Sequence, residues 1–200
     1  MTTIFTVNGA SRAGKDEVTK LLKNEYGYRH IHPLSNLYCF LEEHLELPAG
    51  SLMSGESKNY IMPGGEITMA EALVKFYHFM IDNKVGNWTE PHVRRALDWN
   101  IDRQQSLVFS GLRNFHESEA ILNKVKDSGC NLVSIWIKRP GFWGYSSDKK
   151  QWEIYNSLAA EADYREIVEN DDTLDTFLTK IRKIVIERNL DERKPAQIKS

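Results

Sequence analysis

The sequence predicts an α/β fold, a parallel sheet flanked by helices, and three observations predict it. Short apolar runs of strand length alternate with segments of helical period. The first strand and the first helix are joined by a glycine-framed loop that ends in lysine. From Pro33 to Gln105 the alternation stops and helical stretches dominate, which marks an insertion on the sheet.

The first element is Thr3 to Val7 (TIFTV), a β-branched and aromatic run, and Val18, Leu21 and Leu22 repeat at helical spacing after it. Between them Gly9, Ala10, Ser11, Arg12, Ala13, Gly14 and Lys15 follow the spacing G-x-x-x-x-G-K-[ST], with Asp16 where the last hydroxyl would stand and Glu17 after it. The residue types suit a polyphosphate. Glycines let backbone N–H groups turn inward without Cβ clashes, the helix N-terminus adds partial positive charge, and lysine is a mobile cation for outer phosphates. The plain alternative, a glycine turn with a surface lysine, does not require strand, spacing and helix to fall in register.

Asn24 to Gly27 closes the helix, and Tyr28 to His32 (YRHIH) suits a second strand ended by Pro33. A right-handed β-α-β crossover then puts the loop at the carboxyl edge of the sheet, where open α/β folds bind ligands. In the insertion, Asn36 to Leu47 is helical, with Leu37, Phe40, Leu41 and Leu45 apolar. Ala49 to Glu66 has four glycines, a proline and no periodicity, and is expected to be loop. Thr68 to Glu71 fits a capping box opening a helix through Leu73, Phe76, Tyr77 and Met80, whose aromatic face is assigned to core. Thr89-Glu90-Pro91 starts another helix, and Arg94, Arg95 and Arg103 follow on it. These arginines are either a solvated face or forks for a second substrate's phosphate.

Ser106 to Gly111 and Asn131 to Lys138 are compact apolar strands with a helix from about His116 to Ser128 between them. Arg139 to Ser147 is a glycine- and aromatic-rich loop at a strand's carboxyl end, a lid that with the helix Gln151 to Asp163 spans about 139–163. Tyr164 to Glu169 is the last strand, Asn170 to Thr173 a turn and helix cap, and Leu174, Phe177, Leu178, Ile181 and Ile184 the final amphipathic helix. The charged tail after Arg188 is expected to fray. One domain results, with core 1–32 and 106–190 and a helical substrate-binding insertion at 33–105.

Composition bounds the partners. In 200 residues with 41% hydrophobic and 27% charged content, a formal charge of −2 argues against nucleic-acid binding through a global positive field and favours a small nucleotide. Cys39 and Cys130 lie far apart without a metal spacing, as expected of reduced thiols in a cytoplasm. The six histidines show no ligand spacing either. No apolar run reaches the roughly 18 residues of a membrane span. The sequence leaves a homodimer open.

Three stretches resemble phage-type deoxynucleoside monophosphate kinases, within the P-loop nucleotide kinases that include dephospho-coenzyme A kinase. Gly14-Lys15-Asp16 matches a loop ending seen in that group. Ser110-Gly-Leu-Arg113-Asn-Phe-His-Glu117-Ser-Glu119-Ala-Ile121 resembles its strand-end D-V-R and following N-E-x-x-A-I, and Ile167-Val-Glu-Asn170-Asp-Asp-Thr173-Leu174 its I-x-N-D-G-T-L turn. The resemblance covers roughly residues 3–30 and 106–188, and matches the insertion in position and helical character alone. It implies a three-layer P-loop kinase fold, ATP and Mg²⁺, a (deoxy)nucleoside monophosphate acceptor, and host cytoplasm if the protein is phage-encoded. Gly111 departs from the pattern, because the family has its acidic residue there. Either Asp16 then serves the metal, or the site is degenerate.

In a phosphoryl transfer the basic residues fall into roles. Lys15 would bridge the outer phosphates, Arg113 clamp the acceptor phosphate, and Arg139 and Arg12 close over the transferring group. Asn170 and Thr173 would flank the adenine by resemblance. The structural alternatives are salt bridges of Arg113 and Arg139 with Glu117, Glu119 or Glu161, and an ordinary cap at Thr173. A different acceptor on the same fold, such as a modified pyrimidine in phage DNA, and a nucleotide-binding protein whose chemistry has lapsed are the competing readings.

Overall fold

The computed structural model describes residues 2–10, 12–54, 56–62, 64–82, 89–141, 146–188 and 190. Ser11 of the glycine loop, residues 142–145 of the lid segment and the tail from 191 lie outside them. The chain forms two compact units, Met1–Pro33 with Val93–Ser200, and Leu34–His92.

The first unit is built on β1 (Thr3–Gly9), β2 (Arg29–Ile31), β3 (Leu107–Ser110), β4 (Asn131–Lys138) and β5 (Tyr164–Glu169). They form one five-stranded sheet in the order β2-β3-β1-β4-β5. Every pair is parallel, with Val7 opposite Ser110 and Ile135, and Ile137 opposite Val168. The helices of the unit are α1 (Lys15–Tyr26), α5 (Glu90–Ile101), α6 (Phe115–Ser128), α7 (Ser146–Glu161) and α8 (Leu174–Glu187), while α2 (Ser35–His44), α3 (Ser51–Ser54) and α4 (Met69–Asp82) lie between α1 and α5 in the chain.

Alternation along each strand divides the core into two layers. Phe5, Val7 and Val108 face one side and pack with Val18 and Leu22 of α1 and Phe177 and Ile181 of α8. Ile4, Leu107 and Phe109 face the other, against Val93 and Leu97 of α5, Ile121 of α6 and Ile154 and Leu158 of α7. Each such side chain, withdrawn from water, contributes about 2 kcal/mol. Helices on both faces of a parallel sheet give the predicted α/β class. The sheet brings the carboxyl ends of β1, β3 and β4 side by side, which positions the site.

Two local expectations change, and one cap is new. Helix α7 begins at Ser146, well before Gln151, so it fills most of 139–163. In the tail, Leu190 is buried and its carbonyl accepts the Tyr28 hydroxyl at 2.8 Å, so the chain stays docked at least to there. Capping of α6 comes from Asn114, whose side chain takes the Glu117 N–H while the Glu117 carboxylate takes the Asn114 N–H.

In the second unit, Leu34, Tyr38, Leu52, Met69 and Leu73 form a small core. The capping box at its last helix is present, with Glu71 N donating to Thr68 Oγ1 at 3.3 Å and Thr68 N to the Glu71 carboxylate at 2.7 Å, bonds that hold that carboxyl below its usual range. Two readings are corrected. Segment 49–66 is not plain loop, for it holds α3, a 3₁₀ turn at Glu56–Asn59 and a bridge between Ile61 and Thr68. Its anchor is Glu42, buried and accepting from Gly50 N and Leu52 N at 2.8 Å each. The aromatic face of α4 is not core throughout, because Phe76 is exposed, as is Phe79; helical period marks a stripe without saying what covers it.

Candidate functional site

The loop between β1 and α1 is shaped by what stands beside it. A Cβ at Gly9 would lie 2.5 Å from the Ile137 carbonyl oxygen of the neighbouring strand, so no other residue fits. At Gly14 it would lie 2.8 Å from Asn170 Nδ2 and 3.2 Å from Phe177, with φ at +110°. Asn170 comes that close because its amide donates to Ala13 O at 2.8 Å while its backbone N bonds Lys138 O. The turn after β5 thereby fastens the loop to the sheet. Thr173 is the N-cap of α8 and takes the Thr176 N–H at 3.2 Å.

Lys15 opens α1, and its Nζ donates to Gly9 O at 2.8 Å and Ala10 O at 2.7 Å. The ammonium therefore sits over the loop, at the helix N-terminus where an anion is favoured. Arg12 has φ 62°, a left-handed conformation that costs about 1–2 kcal/mol for a residue with a Cβ. Its carbonyl accepts from Arg139 Nη1 at 3.2 Å, so the first residue after β4 reaches across to the loop. Such strain gathers at functional sites. Ala10 and Ala13 are buried, and beside Ala10 an apolar cleft of about 400 Å³ is walled by Trp136, Ile137, Arg139, Trp152 and Ile167.

Asp16 is exposed on the first turn of α1, while Glu17 pairs with Lys20 at 2.9 Å. No three His, Cys, Asp or Glu converge on a metal position among the described residues. One carboxylate next to a phosphate loop suits Mg²⁺, which keeps most of its waters and takes its other ligands from nucleotide phosphates. The donor set fits a metal carried by ATP and does not fit an all-protein metal cage.

Arg113 leaves the carboxyl end of β3 half-buried. Glu117 is fully buried and does not form the predicted ion pair with it. Its carboxylate instead accepts the backbone N–H of Arg113 at 2.5 Å and the Asn114 amide at 3.0 Å. The Arg113 Nε is buried with no hydrogen-bond partner among the described residues. The other predicted partners are also engaged elsewhere, with Glu119 beside His116 at 3.2 Å and Glu161 beside Lys126 at 3.7 Å.

The three arginines of the insertion separate. Arg94 and Arg95 are exposed in the first turns of α5. Arg103 follows the helix's other end, stacked 3.6 Å over the Trp99 ring and donating to Trp99 O. Nine residues at about 1.5 Å each divide Arg94 from Arg103. Next to Arg103, Gln105 bonds Gly27 O and Ser106 O takes the Arg29 N–H, both at the start of β2. Arg103 thus lies toward the amino edge of the sheet, at the opposite end of α5 from Arg94 and Arg95.

The sequence reading passed over His30, His32 and Ser110. His30 Nε2 lies 2.8 Å from Ser110 Oγ. Burial pushes its imidazole below the usual range, Asp16 opposes that and Lys23 adds to it. The signal was the two-residue spacing in YRHIH, which puts both histidines on one face at the strand end.

No protein-family model and no curated protein matches the chain. Among solved structures it is similar to a sugar kinase from Janibacter sp. HTCC2649, at 11% identity and TM-score 0.46 over 96% of this chain and 97% of that one. It is similar to the shikimate kinase of Aquifex aeolicus vf5, at 13% identity and TM-score 0.46 over 94% and 98%. The dephospho-CoA kinase of Campylobacter jejuni matches at 16% identity and TM-score 0.47 over 94% and 98%.

Proposed function

We propose that this chain is an ATP-dependent P-loop phosphotransferase that moves the γ-phosphoryl group of ATP to a (deoxy)nucleoside monophosphate. The observation that carries the reading is Lys15, held over a loop whose glycines admit no Cβ, with Arg12, Arg139 and Arg113 around the same carboxyl edge. In the transfer the bond from the γ-phosphorus to the bridging oxygen breaks, an acceptor phosphate oxygen forms the new bond, and ADP leaves. Lys15 neutralises charge on the outer phosphates, Arg139 and Arg12 close on the transferring group, and Arg113 holds the acceptor. Mg²⁺ bound with the nucleotide would screen the phosphates, with Asp16 as its protein carboxylate. The resemblance to phage-type deoxynucleoside monophosphate kinases supports this acceptor, and a cytoplasmic setting follows from it.

Magnesium-dependent ADP release, measured with each deoxynucleoside monophosphate, with nucleosides and with modified DNA, tests the proposal. Turnover with a monophosphate is the expected result. ATP binding without turnover of any acceptor sinks it and leaves a lapsed nucleotide-binding protein.

A further inference from the structure

At the carboxyl ends of β2 and β3 the chain gathers donors. His30 and His32 share a face, their rings edge to face at 6.5 Å, and His30 meets Ser110. Gly111 follows with φ +72°, and a Cβ there would lie 2.9 Å from His32 Nε2 and 3.4 Å from its Cδ2. Glycine is what lets the imidazole lie against the end of β3. Two residues on, Arg113 carries its buried, unsatisfied Nε. The nearest carboxylate in sequence, Glu117, is taken up by backbone N–H groups and Asn114. The charges of α1 that face His30 are Asp16 and Lys23.

An alcohol acceptor must lose a proton as its oxygen attacks, which calls for a positioned general base such as a carboxylate. A phosphate monoester arrives with its nucleophilic oxygen already deprotonated, and needs donors. We propose that His32 is a specificity-determining residue, forming with Arg113 a donor wall that takes an anionic phosphate monoester and rejects a neutral alcohol. The inference rests on the phosphotransferase reading and adds the residue that selects the acceptor's class.

The test compares His32→Ala, His32→Asn, Gly111→Ala and the double variant His32→Ala/Gly111→Ala. Steady-state kinetics are run with a deoxynucleoside monophosphate and with its parent nucleoside, and calorimetry measures binding of the monophosphate alone. His32→Ala should raise the acceptor's KM and dissociation constant about tenfold, the loss of one hydrogen bond to a charged group, and leave ATP affinity unchanged. Gly111→Ala should do the same by pushing the ring aside, the double variant should be no worse than either, and His32→Asn should recover part of the loss. If His32→Ala does not fold, His32→Asn and Gly111→Ala carry the comparison. Unchanged acceptor binding in every folded variant overturns the inference. So does a wild-type protein that phosphorylates the nucleoside and ignores the monophosphate, a result that spares the phosphotransferase reading. Absence of turnover with every acceptor removes both.

Discussion

The loop of residues 9–15 and the segment 49–66 are both glycine-rich connections, and they are held in opposite ways. At Gly9 a Cβ would run into the Ile137 carbonyl of β4, and at Gly14 into the Asn170 amide and the Phe177 ring, so close neighbours dictate each glycine. At Gly50 and Gly64 a Cβ would meet nothing within 4 Å. There the first turn is held by a buried side chain, Glu42, which takes two backbone N–H groups. Glycine content alone therefore says little about a loop. What separates a shaped cradle from a stapled segment is which neighbour does the holding, the β4 backbone and the Asn170 amide in one case and a carboxylate in the other.

The largest effect that sharpens this contrast belongs to Lys15→Ala. The Lys15 ammonium bonds the loop carbonyls of Gly9 and Ala10, so the melting temperature should change little, while phosphoryl transfer should fall by about 10³ through lost stabilisation of transition-state charge. Unchanged turnover would mean that the cradle is not where chemistry occurs. Next in size, Glu42→Ala should cost about 2–3 kcal/mol, since the Leu52 N–H is left buried without its acceptor. Amide exchange at Gly50 and Leu52 should quicken in this variant while that of β1 and β4 does not. A uniform loss across the chain would break the distinction between the two loops.

The same contrast explains what the sequence disclosed. Gly9, Gly14 and Lys15 lie within seven residues, and their spacing is itself the geometry, so the cradle could be read directly. The Thr68–Glu71 box is equally local. Glu42 was invisible as an anchor because nothing in its own neighbourhood tells a carboxylate that will cap a later turn from one on a solvated helix face. The place of Arg103 was not legible because only the topology around β2 and β3 decides which edge of the sheet it reaches. His32 escaped because its partner, Gly111, comes from another strand, and the glycine looked like a missing acid.

Asp16 offers a smaller effect at the loop's rim. Because it is exposed and the described residues hold no carboxylate cluster, Asp16→Asn should raise the Mg²⁺ concentration for half-maximal activity about tenfold and spare nucleotide binding measured without metal. A Mg²⁺ titration that overlays the wild type would reduce Asp16 to a helix-start residue.

The smallest effect asks whether the cradle needs its fastening by Asn170. Asn170 ties the turn after β5 to Ala13 O, a single neutral hydrogen bond with a net contribution of about 1 kcal/mol. Asn170→Ala should weaken ATP binding about fivefold, because the loop samples more conformations before the phosphates arrive, and should leave kcat at saturating ATP nearly unaltered. The same substitution removes the amide that a Cβ at Gly14 would strike, leaving Phe177 at 3.2 Å and the positive φ as obstacles. Gly14→Ala should therefore be less damaging in the Asn170→Ala background than in the wild type, by an amount that a double-mutant cycle reads directly. Additive losses would show that Asn170 and Gly14 act independently.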